Sequence, residues 1–286
     1  MAEVIMLIAL FFAGAVLGSF ACCQAWRLRL KETKKDNPGK WSVCISCGKR
    51  LSAKENIPII SWIAQKGKCR NCGAKIGKAE IFSEFSLGIA LAAIGAHLYP
   101  KTIAVFSSGN IYNMVALVIT TLLLVVSIII MWILMVYDAK WQRLPVKLLV
   151  ALNICAALYA ILQFVGVVLA ANTSSDVTSY LASLAIAVAI LAGIYFCLSF
   201  FSKEKLVGSG DWMLALPIAL ILGHWWLALV VLFISNLLGS IVGTVMKIKS
   251  GAKQIPFGPF LVIAFVIVYA AQPWLLSLIA NLRLAF

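Results

Sequence analysis

Charge is scarce in this chain, and acidic charge is scarcest. Ten Asp and Glu stand against 24 Lys and Arg in 286 residues, and charged residues make up 12% of the total. A soluble domain of this length normally carries about twice that share to solvate its surface. Histidine is nearly missing too: only His97 and His224 occur. No His-Glu metalloprotease motif and no Ser/His/Asp set can be assembled from them. There is no Gly-x-Gly-x-x-Gly loop, so a soluble nucleotide-binding fold is excluded. Internal repeats and low-complexity tracts are absent. Few buried charges and no paired broken helices around a midplane site make a transporter the weakest class.

What is present is apolar. Hydrophobic residues are 63% of the chain, with a mean hydropathy of +1.02. That composition belongs to an integral membrane protein. Eight apolar segments predict about eight transmembrane helices: 4–26, 81–99, 113–137, 146–170, 178–201, 211–224, 225–246 and 257–280. The stretch 211–246 is too long for one span. Gly223-His224 reads as the turn inside it, and the short first half with Pro217 leaves a re-entrant segment open. The first run, Val4 to Trp26, is not a cleaved signal peptide. It lacks a positive start, exceeds an h-region, and its positive charges follow it.

The net charge of +14 is explained by placement. The insert 27–80 holds 14 Lys and Arg, and the loops 138–147, 202–210 and 247–256 hold most of the rest, including Lys140, Arg143, Lys147, Lys203, Lys205, Lys247, Lys249 and Lys253. With the N-terminus outside, 22 of the 24 cations fall on one side, leaving Lys101 and Arg283 on the other. Such asymmetry predicts cytoplasmic loops and both termini outside. The surplus then serves topology and contact with anionic lipid, not nucleic acid. External loops are predicted at 100–112 and from Asn172 to Thr178.

Four of the eight cysteines form two Cys-x-x-Cys pairs, Cys44/Cys47 and Cys69/Cys72, separated by 21 residues within the basic insert. This arrangement can place four thiolates around one tetrahedral Zn²⁺, with Gly48, Gly67 and Gly73 at the turns. Disulfides or free thiols are the alternatives, and a reducing cytosol disfavours the first. A segment this short has little core of its own, and a metal would supply what burial does not. Cys22, Cys23, Cys155 and Cys197 lie in apolar runs as small hydrophobes.

The few carboxylates can be sorted by position. Glu3 is terminal. Glu32, Asp36, Glu55 and Glu80 belong to the insert, Asp176 to an external loop and Glu204 to an internal one. Three remain at cytoplasmic ends of spans: Glu84, Asp138 and Asp211. Acids beside hydrocarbon are functional candidates. Asp211 follows Gly208-Ser209-Gly210 and opens a helix, where an N-capping role is the plain alternative. Asp138 closes a helix, where the dipole disfavours an anion. If their helices are neighbours, the two acids would flank one peptide bond and share a proton, as in aspartic proteases. The helix ends suggest Asp211 as base and Asp138 as acid.

At this point the residues resemble the bacterial type IV prepilin peptidases, the leader peptidase / N-methyltransferase family. The resemblance runs through Leu17-Gly18-Ser19-Phe20 with Arg27-Leu28, then Cys44 to Cys72 with Glu55-Asn56-Ile57-Pro58-Ile59-Ile60-Ser61-Trp62. It continues through Glu84, Asp138 with Leu144-Pro145, Gly208-Ser209-Gly210-Asp211, and Pro256-Phe257-Gly258-Pro259-Phe260. It implies an all-α polytopic membrane protein: a first transmembrane helix in 1–26, a cytoplasmic zinc domain in 27–80, and a transmembrane aspartic peptidase domain in 81–286. It implies catalysis by Asp138 and Asp211, zinc on Cys44, Cys47, Cys69 and Cys72, and S-adenosyl-L-methionine as methyl donor, with Glu84 a candidate near it. The implied substrates are type IV prepilins or pseudopilins, cut after a glycine that ends a basic leader, at the inner face of the bacterial cell membrane. N-methylation of the new N-terminus would follow. This chain departs from the family pattern at Val146, where Asp is common, at Met213, where Lys is common, and at Cys44-Ile45-Ser46-Cys47, which lacks the usual Pro. Two alternatives stand beside this reading: a Gly-x-Gly-Asp intramembrane protease with another substrate, and a non-catalytic docking or assembly factor built on the zinc domain.

Overall fold

The computed structural model describes residues 1–33, 41–171, 173–204, 207–250 and 255–284. Asp36, Asn172, Lys205 and Lys253 lie outside the described residues, as does the side chain of Arg283. Among the described residues the chain is helical. Only two isolated bridge pairs, Val43 with Arg50 and Lys68 with Lys75, resemble strand pairing. The elements are α1 (Ala2–Glu32), a 3₁₀ turn (Ala53–Glu55), α2 (Ile60–Ala64), α3 (Lys78–Ser107), α4 (Ile111–Trp141), α5 (Val146–Ala170), α6 (Ser174–Val188), a π-turn (Ala189–Gly193), α7 (Ile194–Ser202), α8 (Ser209–Leu222), α9 (Trp225–Ser250), α10 (Gly258–Ala270) and α11 (Gln272–Leu284).

The eight apolar segments all appear, in three forms. Six are single helices long and apolar enough to cross a membrane, counting Ser174–Ser202 as one through its π-turn. The last segment is one span only if its two halves are taken together, because α10 and α11 are bent by 66° at Ala271. Gln272-Pro273 explains the break: proline has no N–H to continue the ladder and disfavours helix in the residue before it. The eighth segment, α8, has 14 residues. At 1.5 Å per residue it rises about 21 Å, short of a hydrocarbon core of about 30 Å.

The chain divides into two compact units, Met1–Ala96 and His97–Phe286. In the first, α1 and the start of α3 approach at backbone distance. A Cβ on Gly14 would meet Leu87 O at 2.5 Å, and one on Gly18 would meet Ser83 O at 2.4 Å. Glycines four apart on one helix face permit this contact, which is how membrane helices pack where apolar burial gives little drive. Ser83 Oγ seals it by donating to Gly18 O at 2.9 Å. The opposite flank of α1, with Val4, Ile8, Phe12 and Val16, is exposed and suited to lipid.

In the second unit α5 packs against α4 and α8, while α10 packs against α4, α8 and α9. Its core is aliphatic with a few aromatics: Leu149, Leu152, Leu214, Ile218, Leu261 and Phe265 are fully buried, and Trp132 nearly so. The turn between α4 and α5 is tight. Gln142 takes a left-handed conformation (φ 52°, ψ 43°) and its N–H bonds Asp138 O at 2.8 Å. Pro145 then opens α5. That turn sets Leu144 and the end of α4 beside the N-terminus of α8.

Candidate active site and metal site

The insert folds around two near-identical knuckles. Cys44 N–H donates to Lys49 O at 2.9 Å and Gly48 N–H to Cys44 O at 2.9 Å. Cys69 N–H and Gly73 N–H repeat the pattern with Ala74 O and Cys69 O, both at 2.9 Å. Gly48 and Gly73 sit at φ +70° and +71°, conformations open to glycine. The four Sγ atoms of Cys44, Cys47, Cys69 and Cys72 lie within 4.8 Å of one another, and Cys44 and Cys72 are 3.9 Å apart. Thiolates about 2.3 Å from one tetrahedral Zn²⁺ are about 3.8 Å from each other, so the donor set fits zinc. Asn71 Nδ2 reaches Cys47 Sγ at 3.6 Å, and Lys49 Nζ reaches Asn71 Oδ1 at 3.4 Å. The Lys49 amide, then Asn71, hold the Cys47 thiol down to about 6, while, against the Ala74 amide, burial and the neighbouring thiols push Cys72 up to about 11, so the first thiolate of the set forms at Cys47.

Glu84 is 8% exposed, and its Oε2 accepts the Ile59 N–H at 2.7 Å. Ile59 has φ 64° and ψ −55°, a strained conformation for a β-branched residue. Ile60 N–H closes the turn on Pro58 O at 2.6 Å. The acid therefore braces an unfavourable turn in the insert, a contact that sequence reading did not anticipate.

Asp138 is 6% exposed at the end of α4. Its Oδ2 accepts the Gly258 N–H at 2.9 Å. Gly258 begins α10, so the donor is one of the amides that a helix N-terminus leaves without an intrahelical partner. A Cβ at this position would stand 2.9 Å from Asp138 Oδ2 and 3.5 Å from its Cβ, so a larger residue would push the carboxylate away. Asp211 is half-buried in the first turn of α8. It is not the N-cap residue the sequence alternative had, but it still caps the helix, from the N3 position of a capping box. Gly208 occupies the N-cap and Asp211 is the third helical residue, its Oδ2 accepting Gly208 N–H at 3.1 Å. Gly210 abuts Leu144, whose Cδ1 would lie 2.8 Å from an added Cβ. Leu144, six residues after Asp138, abuts Gly210 beside Asp211, and α10 packs on both α4 and α8, so the two acids lie in one region of the second unit.

Three neighbours were missed from sequence. Gly258 is the first. Phe257 is the second: its ring lies tilted against Tyr195 with centroids 5.4 Å apart, and would stand 3.1 Å from a Cβ added to Gly239. Tyr195 is the third, its hydroxyl held by Asn236 Nδ2 at 2.9 Å and Ser235 Oγ at 3.3 Å. The one available signal was Pro256-Phe257-Gly258-Pro259-Phe260, where a glycine precedes a proline at a helix start. Val146 is exposed at the start of α5, and Met213 is half-buried in α8.

Residues 12–98 match the family model described as the Bacterial Peptidase A24 N-terminal domain, and residues 125–244 match the Type IV leader peptidase family. The chain is 34% identical over 236 residues to the prepilin leader peptidase/N-methyltransferase of Dichelobacter nodosus, covering 81% of this chain and 72% of that protein. The chain belongs to the prepilin leader peptidase/N-methyltransferase family. The namesake from Stutzerimonas stutzeri is 30% identical over 230 residues, covering 78% of this chain and 69% of the relative. That of Aeromonas hydrophila is 28% identical over 228 residues with the same coverage. No solved structure matches. The first matched model contains the four cysteines and Glu84, and the second contains Asp138 and Asp211. This prepilin peptidase family member is a membrane-embedded enzyme, which sets aside the non-catalytic docking alternative.

Proposed function

We propose that the chain removes the basic leader of type IV prepilins or pseudopilins, with Asp138 and Asp211 as one catalytic pair. The observation that carries this is the convergence of the Asp138 and Asp211 helix ends through the Leu144–Gly210 contact, with Asp138 fixed by the Gly258 amide at 2.9 Å. One carboxylate takes a proton from water while the water oxygen bonds to the scissile carbonyl carbon. The protonated partner gives its proton to the carbonyl oxygen, forming a gem-diol. Collapse of that intermediate breaks the C–N bond as a proton passes from the pair to the leaving amine. The pair titrates as a unit. The α4 C-terminus favours Asp138 as the acid, but the α10 N-terminus, through the Gly258 N–H on Asp138, acts in the opposite direction, so the helix ends do not divide the roles between Asp138 and Asp211.

The charge pattern supports an inner-membrane topology with these helix ends in the cytoplasm. Lys140, Lys147, Lys203, Lys247 and Lys249 sit at the ends of α4, α7 and α9 and at the start of α5. A substrate with a basic leader and an apolar helix would present its junction at that depth. In this reading Cys44, Cys47, Cys69 and Cys72 hold zinc, which joins the two knuckles of the insert. Methylation of the new N-terminus by S-adenosyl-L-methionine rests on the relatives' shared name. Glu84 already holds the Ile59 amide, and no methyl-transfer step follows from the residues at either site.

The test is a purified prepilin incubated with the chain in liposomes, read by product mass. Cleavage after the leader glycine is expected, with a further gain of one methyl group when S-adenosyl-L-methionine is added. Intact substrate from folded, zinc-loaded protein across several prepilins and pseudopilins would overturn the peptidase assignment.

A further inference from the structure

Pro217 stands inside α8. Proline has no N–H, so the carbonyl four residues earlier, that of Met213, loses its intrahelical donor. Met213 lies two residues beyond Asp211, in the stretch of helix that carries the acid. Away from water such a carbonyl must find another partner. Asn153 of α5 provides it: its Nδ2 donates to Met213 O at 2.9 Å and to Leu149 O of its own helix at 2.8 Å. Both acceptors are carbonyls, so the amide has one orientation that satisfies them. Its Oδ1 is buried with no partner. A leucine in that place would bury no unmet acceptor, so the residue's value at this position is as a donor.

The rest of the contact between α5 and α8 is non-directional. Leu149, Leu152 and Ala156 of α5 and Leu214, Ala215 and Ile218 of α8 are all fully buried. Apolar packing of this kind tolerates sliding and rotation better than a hydrogen bond does. We propose that Asn153 is a positioning residue for cleavage: its bond to the carbonyl freed by Pro217 fixes the register of α8 on α5, and so sets Asp211 opposite Asp138. This rests on the reading of Asp211 as catalytic. Pro217 creates the acceptor, and Asn153 uses it to link α8 to the helix that follows the Asp138 turn.

The test is a double-variant cycle on full-length protein in liposomes with a prepilin substrate, measuring kcat, KM, the pH–rate profile and Tm. Asn153→Leu lowers kcat by about tenfold or more, with little change in KM and a displaced pH–rate profile, because the pair is misaligned rather than the substrate lost. Pro217→Ala restores an N–H to residue 217, which takes Met213 O from Asn153 and so loosens the register by itself, lowering kcat as Asn153→Leu does. In that background Asn153→Leu changes kcat by under about twofold and leaves the pH–rate profile in place. An equal loss in both backgrounds, or an unchanged kcat and profile for Asn153→Leu alone, overturns the proposal. If Asn153→Leu does not fold, the double variant decides: a folded Asn153→Leu/Pro217→Ala with the lowered kcat of Pro217→Ala alone supports it, and a second unfolded protein or a kcat equal to that of the unaltered chain overturns it. Asp211→Asn is the control. Cleavage by that variant refutes the catalytic reading itself, and the Tm cycle between positions 153 and 217 then still reports whether the bond exists.

Discussion

The cysteine insert and the aspartate pair are built on opposite plans. In the insert the backbone bonds that shape each knuckle are local, closed by amides within six residues of chain between Cys44 and Lys49 and again between Cys69 and Ala74, with the Asn71 side chain reaching across to Cys47 and Lys49. Two such turns need only an ion to join them. The aspartate pair has no local solution. Asp138 closes α4, Asp211 opens α8, and the amide on Asp138 arrives from Gly258, 120 residues downstream. It depends on helices packing in register. One region is therefore vulnerable to chelation and tolerant of distant change, and the other is the reverse.

Removing zinc is the strongest way to break that contrast. A structural Zn²⁺ site is worth on the order of 10 kcal/mol to a small domain. Chelation is expected to expose the amides between residues 41 and 76 to hydrogen exchange while those of α5, α8 and α10 stay protected. Joint loss of both sets would mean the regions do not fail separately. Next comes Gly258→Ala, which adds a methyl group where Asp138 Oδ2 stands 2.9 Å away. It should lower kcat by about 100-fold with zinc content unchanged, since small misplacements of catalytic groups cost that much. Glu84→Ala tests the brace on Ile59. Loss of a charge-assisted hydrogen bond predicts about 2 kcal/mol less protection near residues 57–61. The smallest effect belongs to Gly48→Ala. Open space surrounds Gly48, so only the left-handed backbone resists. Zinc affinity should weaken by about 1 kcal/mol, with cleavage at saturating zinc unaffected.

Legibility in the sequence follows the same division. Cys44, Cys47, Cys69 and Cys72 could be read as one site because their spacing determines most of the geometry. The apolar segments were equally plain, since length and hydropathy are local properties. Asp138 and Asp211 stood out by scarcity, as acids at span ends with few rivals. Their partners did not. Gly258 donates through its backbone, and a backbone amide leaves no mark in the residue type. Asn153 could have been sought by asking which donor replaces the N–H missing at Pro217, yet nothing local names a residue on another helix. The bend between α10 and α11 was signalled by Pro273, but the unbroken apolar run from 257 to 280 hid it. Ile59 gave no hint of positive φ, because β-branched residues almost never adopt it.

The most direct test of the central claim is single-turnover cleavage of a prepilin by Asp138→Asn, Asp211→Asn and the double variant, each verified as folded by Tm. If the acids act as one pair, each single change lowers the rate by about 1,000-fold or more, and the double variant is no slower than the worse single. A single variant that keeps appreciable activity, or losses that multiply in the double, would mean that Asp138 and Asp211 are not one catalytic unit.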